Sequence, residues 1–454
     1  IRGAVSQSYI ENKSDNYDLT KLLDTILMNR IIGYPVFLFF IWLIFYLTFK
    51  LGSYPTDWIN YGIKLFSGHI KNLLGSGWYS DMMTDGLIEG LGSVLVFVPN
   101  IFILFFLLSF IEDFGYMARI VFLTDKIMHK IGLHGRSFIP LIMGFGCNVP
   151  AIMAIKTIEN RSTRLLTMAV VPFMSCSARL PVFILLISSF YGESGYNLLF
   201  LIYLIGIIIG VLTSILFNKL FFKGKTMEFV MELPPYRFPT LRTVSRHMWA
   251  KGREYFKKMS GPILFVTLII WGLNYFSLDV DKINDYEMKI SNIIKMYEVK
   301  KKNVDDINYE VVVQRERDSL ISMIQDSIKI HRKRTSIICY VGMAIEPVFR
   351  PLGFDWKTCV SLLSGVASKE VIISTMSVLY DNDNVELKDK LANYSGLDRS
   401  SAFGLILFVL LYIPCMGTFI ALKNVSGGYK FPILLTIYTI IIAWLSAFIV
   451  RIIL

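Results

Sequence analysis

Charge is scarce in this sequence of 454 residues: Asp, Glu, Lys and Arg make up 18% of it. A soluble domain carries about 25%, because its water-facing surface must be polar. No GxxxxGK[ST] loop occurs, so the chain holds no nucleotide-hydrolysing site of the P-loop type. The five cysteines (Cys147, Cys176, Cys339, Cys359, Cys415) show no CxxC spacing and no secreted-domain pattern. Three lie in or beside apolar segments, where a disulfide scaffold is not expected. The long apolar runs also lack polar faces at helical spacing, which excludes a large soluble core.

Apolar sequence dominates instead. Hydrophobic residues reach 54% and the mean hydropathy is +0.54. Val36–Leu47 reads VFLFFIWLIFYL, Ile101–Phe110 reads IFILFFLLSF, and Leu198–Phe217 is almost uncharged. Such stretches suit the roughly 20 residues that cross a bilayer's hydrocarbon core. The formal charge of +11 is uneven, with Arg237, Arg242, Arg246, Lys251 and Arg253 among the cations of Lys223–Lys258. Between two spans, this cluster follows the positive-inside rule and marks a cytoplasmic loop, not a nucleic-acid surface.

The organisation follows from these runs. Residues 1–30 read as a polar linker with a short helix that Asp18 or Thr20 caps. Residues 31–86 hold the first span (Ile31–Leu51) and an outer segment, 87–222 a first repeat, and 223–258 the basic loop. A second repeat fills 259–454, with a charged helical insert at 278–335. Gly90–Ile111 is the second span, and residues 114–136 form an interfacial helix with Arg119, Lys126, His129 and Arg136. Roughly eight spans are expected.

The repeat is visible without gaps. A shift of 221 residues lays Asp125–Pro150 on Glu346–Val371, bringing Gly132 onto Gly353, Leu141 onto Leu362 and Gly144 onto Gly365. With the basic loop inside, the two copies start in opposite directions. Inverted repeats with discontinuous segments point to a transporter whose site lies near the midplane.

Three places carry candidate chemistry. The first is GFGCNVPA, where Gly144, Gly146 and Pro150 unwind a helix beside Cys147 and Asn148. A thiolate, an amide oxygen and freed carbonyls suit a borderline divalent metal, although Cys147 taken alone also fits as a small buried residue. The second is PFMSCSARLP, with Met174, Ser175, Cys176 and Ser177 between Pro172 and Pro181. YIPCMGT at Tyr412–Thr418, with Cys415 and Met416, is its counterpart in the second copy. Met and Cys are also ordinary core-fillers. The third is Ser368-Lys369-Glu370. Ionisable groups at membrane depth are costly, so Glu370 either ligates a cation or relays a proton, or else pairs structurally with Lys369. Glu112 and Asp113, with His129, His134 and His247, read as interfacial.

These strings resemble the FeoB family of bacterial ferrous iron transporters. The resemblance runs through EDFGYMAR (Glu112–Arg119), GRSFIPLIMGFGCNVPAIMA (Gly135–Ala154), TIENRSTRLLT (Thr157–Thr167), PFMSCSARLPVF (Pro172–Phe183), GFDWKTCVSLLSGVASKEVI (Gly353–Ile372) and IPCMGT (Ile413–Thr418). It implies an all-α, polytopic membrane protein with two inverted gate-type repeats containing broken or re-entrant helices. It implies Fe²⁺ as the transported substrate, taken into the cytoplasm across the bacterial inner membrane. Cys147, Cys176 and Cys415 match the cysteines of the family's path; Cys339 and Cys359 do not. Asn148 and Glu370 join them as expected ligands, and Gly144, Gly146, Pro150, Met174, Ser175, Ser177, Lys369 and Met416 as path-lining residues. The resemblance further implies an amino-terminal GTPase domain, with GTP and Mg²⁺, outside this chain; IRGAV at the start looks like the tail of its linker. A small FeoA-like partner and a homo-oligomer are compatible with it. Two rival readings stand beside transport of iron: a sodium- or proton-coupled organic-solute carrier on the same repeats, and a non-transporting membrane regulator.

Overall fold

In the computed structural model, the described residues are 24–25, 27–74, 78–222, 236–276, 280–302, scattered positions between 315 and 331, 335–380, 391, 396–412 and 415–453. Among them no β-strand occurs; the chain is helical. The expected cap at Asp18 or Thr20 and most of the 278–335 insert lie outside the described residues, apart chiefly from a helix over Val280–Lys302.

Backbone polar groups in a bilayer must be satisfied within the segment, which leaves helices as the natural spans. Among the described residues five helices are long and apolar enough to cross, or up to seven if two sharply bent pairs each count as one span. The roughly eight expected exceed this because the stretch Gly261–Phe276 does not stand alone. It is the end of a 35-residue helix, Leu241–Tyr275, whose charged first half was expected to be loop. The first helix also outruns its expected end at Leu51. It continues to Leu74 through Pro55, with exposed Tyr54, Trp58 and Tyr61 on its surface.

The chain divides into two compact units. The first comprises residues 1–68, 91–174 and 209–260. It holds most of α1 (Arg30–Leu74) and α2 (Glu89–Asp113), then α3 (Tyr116–Lys130), α4 (Phe138–Gly146), α5 (Asn148–Ala154) and α6 (Arg161–Val170). Helix α3 turns 84° away from α2. Its polar face carries Asp125, Lys126, His129 and Lys130 while Tyr116, Ile120, Val121 and Met128 are buried, as an interfacial helix requires.

The second unit comprises residues 69–90, 175–208 and 261–454. Here α7 (Leu180–Phe190) packs on α14 (Arg399–Leu411), and α11 (Ile337–Phe349) meets α12 (Trp356–Ser364) across a 109° bend. The other named helices are α8 (Tyr196–Phe217) and α9 (Leu241–Tyr275), which both units share, and α10 (Val280–Lys302), α13 (Val371–Leu379), α15 (Met416–Ser426) and α16 (Lys430–Ile453). Every residue of α14 from Ser401 to Leu411 is buried, as an all-round apolar helix should be. Helix α16 covers it and turns Ile433, Ile437, Ile441, Leu445 and Ile449 outward, each about half exposed, a face that only lipid would solvate favourably.

The 221-residue repeat is reproduced in detail. Gly132 has φ +80° and Gly353 φ +81°, each in the left-handed region that favours glycine. A Cβ on Gly132 would stand 2.2 Å from Asn218 Nδ2, and one on Gly353 2.2 Å from Ser401 Oγ. Two residues later, His134 and Asp355 occupy equivalent N-caps. His134 Nδ1 accepts from the Arg136 amide at 3.2 Å and Asp355 Oδ1 from the Thr358 amide at 2.9 Å.

Candidate functional site: helix breaks and their cysteines

In the first unit the break predicted at Gly144–Ala151 narrows to one residue. Cys147 alone is extended (φ −154°, ψ 128°), ending α4 and capping α5. Pro150 lies in the first turn of α5, where its missing N–H costs nothing. Asn148 is buried, and its Oδ1 has no hydrogen-bond partner among the described residues. A buried acceptor without a partner is costly, and such groups call for an explanation. Gly144 allows close approach here: a Cβ on it would lie 3.0 Å from Met174 Cβ and 3.3 Å from Asn148 Oδ1. Gly146 similarly sits against Phe45. Cys147, Asn148, Gly144, Gly146, Pro150 and Met174 therefore all belong to the first unit.

The second unit brings together two more breaks. Cys176 caps the short helical turn before α7, and Cys415 caps α15; both have ψ 159°. That shared conformation supports the sequence pairing of PFMSCSARLP with YIPCMGT, although Ile413 and Pro414 lie outside the described residues. The Met416 amide donates to the Val366 carbonyl at 2.9 Å, which ties this break to the turn between α12 and α13. Tyr412 donates its hydroxyl to the Leu362 carbonyl at 3.2 Å. Lys369, in that turn, lays Nζ over the Tyr412 ring at 3.3 Å from the centroid. Cys415 Sγ shares a hydrogen bond of 3.3 Å with Thr418 Oγ1.

Two fully buried basic side chains stand in this cluster. Arg179 is 1% exposed and Lys369 2%. Both lie within electrostatic reach of each other and of Cys176 and Cys415. Ser175 is buried beside Tyr203, Ser177 is half-buried, and Glu370 caps α13 in a half-buried position. Among the described residues no three His, Cys, Asp or Glu side chains gather in a metal-binding group, so Glu370 does not join the two thiols as a third ligand in this conformation. Cys339 and Cys359 are buried, and Cys339 belongs to an apolar cluster with Ile338, Val360 and Leu379.

Sequence reasoning left out Arg179 and Tyr412. The signal was available: an arginine three residues after Cys176 in otherwise apolar sequence is an ionisable group at membrane depth. Tyr412 carried no such mark, since an aromatic beside a proline reads as packing.

This is a multi-pass membrane protein, of the class built from discontinuous helices in repeated pairs. The chain matches the family model "Nucleoside recognition" (Gate) over residues 94–190 and 256–428, and "Ferrous iron transport protein B C terminus" over 199–251. Curated relatives match almost its full length. An Fe(2+) transport protein A/Fe(2+) transporter FeoB fusion protein of Porphyromonas gingivalis is 41% identical over 99% of this chain and 53% of its own. The Fe(2+) transporter FeoB of Campylobacter jejuni is 38% identical over 98% and 67%. That of Methanocaldococcus jannaschii is 31% identical over 99% and 61%. The chain belongs to the FeoB family. It spans between about half and two thirds of the length of these relatives. No solved structure matches it.

Proposed function

We propose that this chain is the membrane part of a ferrous iron transporter and that Fe²⁺ passes inward along the helix breaks. The single observation that carries the reading is the pair Cys176 and Cys415. Two thiols in matching cap conformations stand at two breaks of one unit; the Cys415 break is tied to the turn that bears Lys369, and Cys176 lies within electrostatic reach of that lysine and of Cys415. Breaks at membrane depth free carbonyls and are tolerated where they line a cavity or are buried in protein. Thiolate and carbonyl ligands together suit Fe²⁺ better than a hard alkali ion.

Cys147 and Asn148 supply ligands in the first unit, and the unsatisfied Asn148 Oδ1 supports that role. Glu370, which stands apart from the two thiols in this conformation, would join them only after a rearrangement of the turn before α13. Gly144, Gly146, Pro150, Met174, Ser175, Ser177, Lys369 and Met416 line the path. Each thiol that takes Fe²⁺ gives up its proton, so two bound thiolates leave the charge of the cluster unchanged. The buried Arg179 guanidinium therefore opposes a bare cation more than a dithiolate-bound one. A group of only two thiols also suits cargo that must leave, because a closed set of four ligands would retain it.

The matches to relatives named as Fe(2+) transporters support the substrate. The relative that is a fusion with Fe(2+) transport protein A supports a small accessory partner. An amino-terminal GTPase domain, with GTP and Mg²⁺, would drive or gate flux; no catalytic step is assigned to this part. The site of action is the bacterial inner membrane, and the oligomeric state is left to the whole protein.

The test is anaerobic iron uptake by the whole transporter carrying Cys176→Ser or Cys415→Ser. Full uptake in both variants would sink the reading. A second reading, transport of an organic solute, draws on the match to the "Nucleoside recognition" model. It predicts uptake indifferent to both cysteines and competition by the solute.

A further inference from the structure

The joint between α2 and α3 is sharply bent, and every residue around it is tied down. Asp113 ends α2; Gly115 follows with φ +86°, a left-handed conformation that lets the chain turn 84° into α3. Arg119, one turn into α3, is 1% exposed. Its Nη1 donates to the Gly115 carbonyl at 2.9 Å, which clasps the joint from inside. Its Nε donates to Asp24 Oδ1 at 3.0 Å and its Nη2 to Asp24 Oδ2 at 3.5 Å, a fork against a carboxylate 95 residues upstream. Its guanidinium lies over the Tyr236 ring at 4.1 Å.

The aromatic neighbours close the arrangement. Tyr236 packs at a tilt, 5.3 Å between ring centroids, on Phe114, the residue at the joint itself, and Phe238 meets Phe114 edge-on at 5.7 Å. Burial and the nearby Asp24 carboxylate both push the Tyr236 hydroxyl's pKa up. On the outer side, Lys251 donates to Glu112 at 2.9 Å and His247 lies 3.5 Å from Asp113. All of these residues belong to the first unit.

Beneath the joint lies an apolar cavity of about 30 Å³, lined on the α2 side by Leu108 and Ile111 and on the α3 side by Tyr116 and Ile120. Phe40 and Ile44 of α1 complete its lining, so the polar ties act beside apolar packing that has a small void in it.

We infer that Asp24, Arg119 and Tyr236 form a latch through which the segment ahead of the first span sets the angle of the α2–α3 joint. Asp24 lies six residues before α1 begins. The joint leads through α3, the Gly132 turn and the His134-capped turn into α4, which ends at the Cys147 break. A pull on residue 24 thus reaches the first broken helix through one ion pair whose arginine is buried and whose carboxylate is partly exposed. Such a pair suits the role, because removing the carboxylate leaves a buried charge without compensation. Arg119 and Asp24 are positioning residues here: neither is assigned to the path.

The test reads the joint directly in the whole protein reconstituted in lipid. Spin labels carried on unnatural amino acids replace Phe110 on α2 and Phe122 on α3, both exposed. The unaltered latch gives one narrow distance distribution. Asp24→Asn keeps the shape and removes the charge, and should shift the bent-to-relaxed population by about fivefold or more. Asp24→Glu restores the charge and should restore the narrow distribution, which a merely space-filling role would not. Tyr236→Leu removes the ring and leaves the ion pair, and should produce a smaller shift; it keeps the idea testable if Asp24→Asn does not fold. Distances in Asp24→Asn and Tyr236→Leu equal to those of the unaltered protein would overturn the latch. So would an Asp24→Glu protein as disturbed as Asp24→Asn. The measurement uses no iron, so it stands or falls apart from the transport reading.

Discussion

The two copies of the repeat share the Gly132 and Gly353 turn and the cap after it, and differ in the chemistry of their breaks. The shift that lays Gly132 on Gly353 also lays Cys147 on Ser368 and Asn148 on Lys369. The first break thus offers a thiol and an amide where the second offers a hydroxyl and an ammonium. Each copy also carries one thiol at a further break, Cys176 in the first and Cys415 in the second, and the second unit holds both. Duplicated geometry sets where the helices must break. What stands at each break differs: a thiol and an amide in one copy, a hydroxyl and a lysine in the other.

Predictions that press on this comparison fall in order of size. The largest concerns the cysteines. Cys176→Ser and Cys415→Ser should each lower anaerobic iron uptake on the order of a hundredfold, because a hydroxyl is a poor ligand for Fe²⁺. Equal losses in both would support the pairing; loss in one alone would break it.

The next concerns the shared glycines. Gly132→Ala and Gly353→Ala should each destabilise by about 2 kcal/mol, from left-handed strain and the close neighbour. Thermal unfolding in detergent checks this, and Gly396→Ala, with φ +68° and nothing within 4 Å, isolates the strain from the clash.

Smaller again, Asn148→Leu should cost about fivefold in uptake while leaving stability unchanged or raised, because it removes a buried acceptor with no partner. A clear loss of stability would mean that Asn148 is structural.

The smallest is a pH effect. Burial lowers the pKa of His134 below its ordinary value of 6.5, against the opposing pull of Asp125. The unfolded chain therefore binds the proton more readily, and stability rises with pH between the folded value and 6.5. It is lost as the medium is acidified through that window, when the Nδ1 acceptor of the cap is protonated. His134→Asn should flatten that slope in thermal scans at pH 5 to 7. The Asp355 cap of the second copy is not a histidine, so Asp355→Asn should leave the slope in place.

Much of the fold was legible in the sequence, and for physical reasons. Span length and the absence of polar faces gave the membrane class, and glycine spacing gave the repeat. Proline and glycine located the breaks near Cys147, Cys176 and Cys415. The length of α1 was not legible, because Gly52, Pro55 and the polar residues after them look like punctuation, yet the helix runs through them. The charged start of α9 was masked in the same way by its lysines and arginines. Within the site, the residues next in sequence to a break could be named. Contacts made across the fold could not: the Lys369–Tyr412 pair joins residues 43 apart, and Arg119 meets a carboxylate that no local pattern marks.

The central claim is that the paired cysteines carry iron through the second unit's breaks. Its most direct measurement is radio-iron uptake into liposomes holding the whole transporter under anaerobic reducing conditions, with and without Cys176→Ser/Cys415→Ser. The account predicts that the double variant folds, inserts and takes up almost no Fe²⁺. Uptake equal to that of the unaltered protein would contradict it.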